Sequence, residues 1–173
     1  MKSIQPLERD RQVQVIATTT DFIHRAEAIF GRNFDLIPVC FDLHGRSAGM
    51  YRIKRKQGQI RYNPFIFSKY FSDNLAVTVP HEVAHYITDA VYGLANIRPH
   101  GSEWKRLMAH FGADASRTCH YDLSGIPVRR IRRHAYVCGC STHQLTSVRH
   151  NKVQRGAAHY FCRNCRTELT EAG

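Results

Sequence analysis

Four of the six cysteines stand in two tight pairs near the end of the chain, Cys138/Cys140 and Cys162/Cys165, with 21 residues between Cys140 and Cys162. A segment this short and polar holds too little apolar surface for a core of its own. Two sulfur pairs separated by a hairpin's length can close on one tetrahedral Zn²⁺ instead, and the ion then replaces the missing core, as in a zinc ribbon. The second pair has the usual C-x2-C spacing. The first, C-x-C, is one residue tight, so His143 stands as the alternative to Cys140 for the fourth ligand position. With all four positions filled by protein, such a site is closed and structural. Cys40 and Cys119 each stand alone and read as small buried hydrophobes.

Reading the pairs as metal ligands rather than disulfides presumes a reducing compartment. The first twenty residues, MKSIQPLERDRQVQVIATTT, carry charges of both signs and no continuous apolar run, so they do not read as a signal peptide. No apolar run approaches the roughly 18 residues a membrane span needs. The expectation is a soluble, cytoplasmic protein with no membrane partner. The charge is uneven. The whole chain carries +11, and residues 117–173 alone hold 10 Lys/Arg against 3 Asp/Glu. A basic excess concentrated in so short a part points to a polyanion, DNA first. Arg129, Arg130, Arg132 and Arg133, followed by Arg149, Lys152 and Arg155 between the cysteine pairs, are the candidate DNA contacts. His150 and Asn151 fall within the same strip.

The stretch VPHEVAHYITDAVYGLANIRPHGSEW, residues 79–104, holds three histidines and two glutamates. His81 and His85 are spaced i, i+4, which on a helix stacks them one turn apart on one face, where both imidazoles can reach one ion. Glu82 sits one residue round, awkward as a further ligand. It is well placed to take a proton from an attacking water and pass it to a leaving amine, which is peptide hydrolysis without a covalent intermediate. A catalytic zinc needs three protein ligands and an open position. His100, just ahead of a helix, is the natural third; Glu103 competes with it, since a carboxylate also binds zinc. Chance matches to HExxH fall mostly on solvated helix faces. This one lies among Ala76, Val77, Val79, Val83, Ile87 and Val91, so its helix has a face to bury. Candidates to stabilise an oxyanion are Tyr86, Tyr92 and the arginines near His100.

Periodicity organises the remainder. Leu7, Val13, Ile16, Thr20, Ile23, Ala26 and Phe30 recur at helical steps and stop at Gly31. Strands are predicted over 36–43, 47–54 and 59–62, with turns at His44-Gly45 and around Gln57-Gly58. Asn63-Pro64 starts a short helix running to about Phe71. Pro80 suits the first turn of the HEVAH helix and Gly93 its end. SEWKRLMAHF reads as a further helix closed by Gly112. From Arg129 the character changes to a basic linker, then a hairpin between the cysteine pairs, with HYFCRNC as a strand.

The residues FDLHGRSAGMYR (41–52), IRYNP (60–64), VPHEVAHYI (79–87), RPHGSEWKRLM (98–108) and YVCGCSTHQLTSVRHNKVQRG with YFCRNC together resemble the SprT family of zinc metalloproteases, whose eukaryotic relatives include Spartan. The resemblance spans most of the chain. It implies an α+β fold with a zincin-like (gluzincin-type) protease domain over 1–128, followed by a basic linker and a small β zinc ribbon over 129–173. It implies His81, His85 and His100 as ligands of a catalytic zinc and Glu82 as the catalytic glutamate. Cys138, Cys140, Cys162 and Cys165 align with the ribbon ligands of a second, structural zinc. The Spartan relatives cleave proteins crosslinked to DNA, with proteolysis switched on by DNA. The implied partners are therefore DNA, including single strands, and proteins bound to it. The same residues also allow a DNA-binding adaptor that works through its ribbon without cutting anything.

Overall fold

In the computed structural model, which describes residues 4–55, 57–116, 121–127 and 132–172, the periodic N-terminal stretch forms helix α1 (Arg9–Phe30). Gly31 ends it with φ 62°, a left-handed conformation in which its N–H returns to the Glu27 carbonyl at 2.8 Å. The buried stripe is Val15, Thr19, Phe22, Ile23 and Ala26: the predicted Ile23 and Ala26 lie in it, and Leu7 ahead of the helix is buried too, while Val13 and Ile16 face outward. Thr19 takes a place in that stripe. Its hydroxyl bonds to the Val15 carbonyl at 2.8 Å and meets the Tyr62 hydroxyl at 3.1 Å, so a polar residue occupies the core satisfied.

The chain divides into two compact units, Met1–Val128 and Arg129–Gly173. In the first, β1 (Val39–Cys40), β2 (Gly49–Lys54) and β3 (Gln57–Tyr62) form a sheet in the order β1–β3–β2. β1 runs parallel to β3 and β2 antiparallel to it. The predicted strand over 36–43 shrinks to two residues. The β2–β3 turn falls before Gln57, because Lys54 pairs with Gln57 and Ile53 with Gly58. Asn63 caps the next helix, accepting the N–H groups of Phe65 and Ile66 at 3.1 and 3.3 Å. The expected short helix is α2 (Pro64–Lys69), which ends at Tyr70, whose φ is –128°; a second short helix that was not expected, α3 (Phe71–Ala76), follows it.

Helix α4 (Thr78–Tyr92) starts two residues ahead of Pro80, which sits in its first turn where an N–H has no helical partner. It is the buried element of the unit. Val79, Val83, Ala84 and Ile87 join Ile60 and Tyr62 of β3 and Trp104, Leu107, Met108 and Phe111 of α5 (Ser102–Phe111) in one core with the inner face of α1. Close packing of this 15-residue helix on several sides gives fixed origins to the side chains it presents at its remaining face. After α5, the segment 121–127 is pinned to α2 by Lys69, whose ammonium bonds to the carbonyls of Asp122 and Ser124 at 2.8 and 2.9 Å.

The second unit holds β4 (Arg133–Val137), β5 (Thr142–Thr146), α6 (Ser147–Gln154) and β6 (Thr170–Glu171), with the strands antiparallel in the order β5–β4–β6. Its core is four buried residues, Tyr136, Leu145, Cys162 and Leu169. Helix α6 lies where a hairpin was expected. It buries no residue, so it carries no apolar periodicity to announce it. HYFCRNC is not a strand: Phe161 makes only one isolated bridge, to Glu168.

One glycine sets the distance between sheet and helix. A Cβ at Gly49 would lie 2.6 Å from Glu82 Cγ and 2.8 Å from Thr78 Cγ2. Both neighbours are buried. Gly49→Ala is therefore expected to cost about 1–3 kcal/mol of stability by overpacking, read from thermal or urea unfolding. A neutral substitution would show that β2 does not press on α4.

Candidate metal centres

Burial places the HExxH face of α4 under strand β2 on one side and α5 on the other. His81 and His85 project one turn apart. The loop 93–101 leaves α4 at Gly93 (φ 78°) and returns His100 to the same point. His100 itself is left-handed, with φ 57°, a conformation that costs an imidazole side chain about 1 kcal/mol or more and is kept at functional sites when the surroundings enforce it. A Cβ at the following residue, Gly101, would come 2.8 Å from the Arg98 carbonyl, so the turn that aims His100 is too tight for a side chain there. Trp104, buried in α5, closes the site from below: its ring centroid lies 4.7–5.6 Å from all three imidazoles, and its N–H donates to the His81 carbonyl at 3.3 Å.

The three Nε2 atoms form a triangle with sides of 3.2, 3.0 and 3.0 Å. A ring nitrogen has one in-plane position, holding either a proton or a lone pair. Three such atoms cannot satisfy one another in a closed ring of hydrogen bonds. They can all point lone pairs at one cation. Tetrahedral zinc at about 2.05 Å from each nitrogen requires about 3.3 Å between them, close to the spacing seen. The chemistry of the donors agrees: burial, then the neighbouring rings, pushes His81 down to about 4 and His85 to about 3, which keeps their lone pairs unprotonated at neutral pH. His81, His85 and His100 therefore fit a zinc ion. Glu103, the competing ligand, is half-buried and outside this group.

Glu82 is buried beside the triangle, 7% exposed. Burial pushes its carboxyl up to about 7, opposed by the N–H of Tyr51, which donates to Oε2 at 2.7 Å. Tyr51 and Gly49 are site residues that the sequence reading passed over. Their signal was present in AGMYR, but a backbone donor and a missing Cβ leave no mark on side-chain chemistry. The cleft above the triangle measures about 330 Å³ and is walled by β2 (Gly49, Met50, Tyr51), by Thr88 and by the return loop (Leu94, Ile97, Arg98, Pro99). Of the oxyanion candidates, Arg98 lines it. Tyr86 instead donates to the Asp35 carbonyl at 2.8 Å and, like Tyr92, is not among the cleft walls.

In the second unit the sulfurs of Cys138, Cys140, Cys162 and Cys165 all lie within 4.8 Å of one another. Cys140 Sγ is 3.5 Å from Cys138 and 3.6 Å from Cys162, near the roughly 3.8 Å edge of a ZnS₄ tetrahedron. His143 stands outside the cluster, its Nε2 3.3 Å from Cys138 Sγ and 3.0 Å from Ser141 Oγ. The Cys140 backbone N–H, then His143, pulls the Cys138 thiol down to about 5, towards the thiolate a metal requires. A third group, His134, His150 and Glu171, is close enough for a metal but wrongly shaped. The imidazoles stack face to face at 3.6 Å with 9° between planes, and one ion cannot lie in both planes.

The proposed DNA contacts Arg132, Arg133, Arg149, Lys152 and Arg155 are all exposed; Arg129 and Arg130 lie outside the described residues, as does Cys119. Arg149 also lines a cleft of about 480 Å³ with Tyr160, Phe161, Arg163, Asn164 and Gln144. Phe161 is 58% exposed there, an aromatic that the sequence reading placed in a strand.

A mixed α+β unit with a three-imidazole metal centre and a buried carboxylate, joined to a four-cysteine unit, defines a candidate metalloprotein with one open and one closed site. Residues 19–129 match the SprT-like family. Across 154 residues the chain is 37% identical to Protein SprT of Vibrio parahaemolyticus, covering 88% of this chain and 89% of that one. It is 34% identical to Protein SprT of Pasteurella multocida over 161 residues, 92% of each chain, and 34% identical to Protein SprT of Shewanella oneidensis over 162 residues, 93% of this chain and 99% of that one. The chain belongs to the SprT-like family. No solved structure matches it. No helix among the described residues is long and apolar enough to cross a membrane.

Metal analysis is expected to give two zinc ions per chain; a single ion would eliminate one of the two centres. Cys140→Ala is expected to unfold the second unit far more than His143→Ala, measured as zinc retention and circular dichroism, and the reverse ranking would make His143 the ligand. For the chelator-stripped chain, Glu82 gives a pH signature. Its folded pKa, about 7, lies above the unfolded value of 4.5, so the stability it contributes is present below 4.5 and lost as pH rises through 7. Glu82→Gln removes that loss. The variant is expected to melt above wild type at pH 8, by at most on the order of 3 kcal/mol, with the gap closing towards pH 4.5. A gap independent of pH would mean that Glu82 is not buried as described.

Proposed function

We propose that the chain is a zinc metalloprotease of zincin-like, gluzincin-type fold that hydrolyses peptide bonds in DNA-associated or DNA-crosslinked proteins and is stimulated by DNA. The observation that carries this reading is the triangle of ring nitrogens with a buried carboxylate at its side. Zinc bound by His81, His85 and His100 would polarise the scissile carbonyl and lower the pKa of the attacking water towards about 7. Glu82 accepts the proton of that water and returns it to the leaving amine. Burial gives its carboxyl a proton affinity matched to neutral pH, where a group must both take and give. The Tyr51 N–H fixes its orientation. Arg98 in the cleft wall is the candidate donor to the developing oxyanion.

The basic second unit is the part proposed to bring the cleft to its substrates. Its exposed arginines suit phosphates. Phe161, flanked by Arg149 and Arg163, suits an unpaired base, so single-stranded DNA is the form proposed. Selection by location would fit a cleft without a deep specificity pocket. The proposed setting is the cytoplasm, at the nucleoid.

The test is cleavage of a DNA-binding protein by wild type and Glu82→Gln, each with and without single-stranded DNA. The expected outcome is cleavage that needs both DNA and Glu82, with the variant at least about 10²-fold slower. DNA binding itself should weaken steeply with salt. Glu82-dependent cleavage indifferent to DNA would remove the role given to the second unit. Intact substrate under every condition, with salt-sensitive DNA binding retained, would favour the adaptor.

A further inference from the structure

Asp89 takes no part in the centre described above, yet three groups converge on it from α4's neighbours. It lies one helical turn beyond His85. Its Oδ2 accepts the Tyr51 hydroxyl at 2.6 Å, its Oδ1 accepts the Leu94 N–H at 3.0 Å, and its backbone carbonyl accepts the Gly93 N–H at 2.8 Å. One residue thus grips strand β2 and the start of the return loop from the helix that carries His81 and His85.

The return loop needs such a grip. It must hold His100 in a left-handed conformation with its Nε2 3.0 Å from both partners. Two of its other described bonds are internal: the Asn96 N–H to the Gly93 carbonyl at 3.0 Å, and the Gly101 N–H to the Arg98 carbonyl at 2.8 Å. These shape the loop without fixing it to the helix. The Asn96 amide donates to the Tyr92 carbonyl at 2.8 Å, at the last residue of α4. Asp89 holds the loop from three residues earlier in the helix. Its second oxygen, through the Tyr51 side chain, braces the strand whose N–H aims Glu82.

We propose that Asp89 is a positioning residue for the metal ligand His100, acting through Leu94, with a second arm through Tyr51 that steadies the strand beside Glu82. This rests on the reading of His81, His85 and His100 as a zinc centre. The loop arm predicts an effect on metal retention, not merely on stability.

The experiment loads the full chain with zinc and follows its release to a chromophoric chelator. The second unit's zinc, expected to release more slowly, serves as internal control. Asp89→Ala is expected to release zinc from the histidine centre about tenfold faster or more, the usual scale for losing a group that orients a ligand, with the slow phase unchanged. Asp89→Asn keeps an oxygen for the Leu94 N–H and should restore most of the retention. Val15→Ala in α1 supplies a loss of packing remote from the loop and should leave release unchanged. Wild-type release from Asp89→Ala would overturn the proposal, and so would equal acceleration by Val15→Ala. A wild-type chain that binds zinc only in its second unit would overturn the zinc centre itself, and this inference with it.

Discussion

Three imidazole nitrogens held about 3 Å apart are the constraint from which the rest of the first unit can be understood. Left without a cation, they crowd lone pairs together in a half-buried place, an arrangement a fold keeps only when it is over-determined. The over-determination is visible. Helix α4 is packed by α1, α5 and the sheet, so His81 and His85 have fixed origins. Trp104 fills the space beneath all three rings. The loop stores a left-handed residue to complete the set. Each device limits motion in a different direction, and together they hold the three nitrogens at the spacing of a ligand set.

The same economy explains Glu82. A carboxyl on the buried side of α4 resists ionisation, and among the described residues a single backbone N–H opposes that cost. More donors would make it a weaker base, and fewer would leave it without orientation. The missing side chain at Gly49 is what allows the strand that carries this donor to come so close.

Much of this was legible in the letters because it depends on periods and spacings. His81, Glu82 and His85 on one helix, His100 beyond a glycine-ended turn, and two cysteine pairs are all statements about sequence distance. So were the α1 stop at Gly31 and the start signal at Asn63-Pro64. What could not be read depends on contacts made across the fold or on the absence of a pattern. The first half of the α1 stripe was misplaced, where Thr19 is buried by pairing with Tyr62, far away in sequence. Helix α6 was missed because it buries no residue and its two valines, Val148 and Val153, do not share a helical stripe. Tyr51 acts at the centre through its main chain, which every residue type shares, and Asp89 through two partners supplied by other segments.

The two candidate centres differ in what they do for the chain that holds them. The four sulfurs stand in for a core of four buried residues, so the second unit has little else to fold around. Thiolates also carry negative charge towards the cation, whereas three neutral imidazoles with an open position do not. The first unit has a large apolar core of its own. Scarcity of zinc would therefore act unevenly along one polypeptide. The open centre would empty while the closed one stayed filled, and on the proposed reading such a molecule would still arrive at DNA but arrive unable to cut. Supply of a trace element would then set how much of a resident population is armed, without any change in its amount.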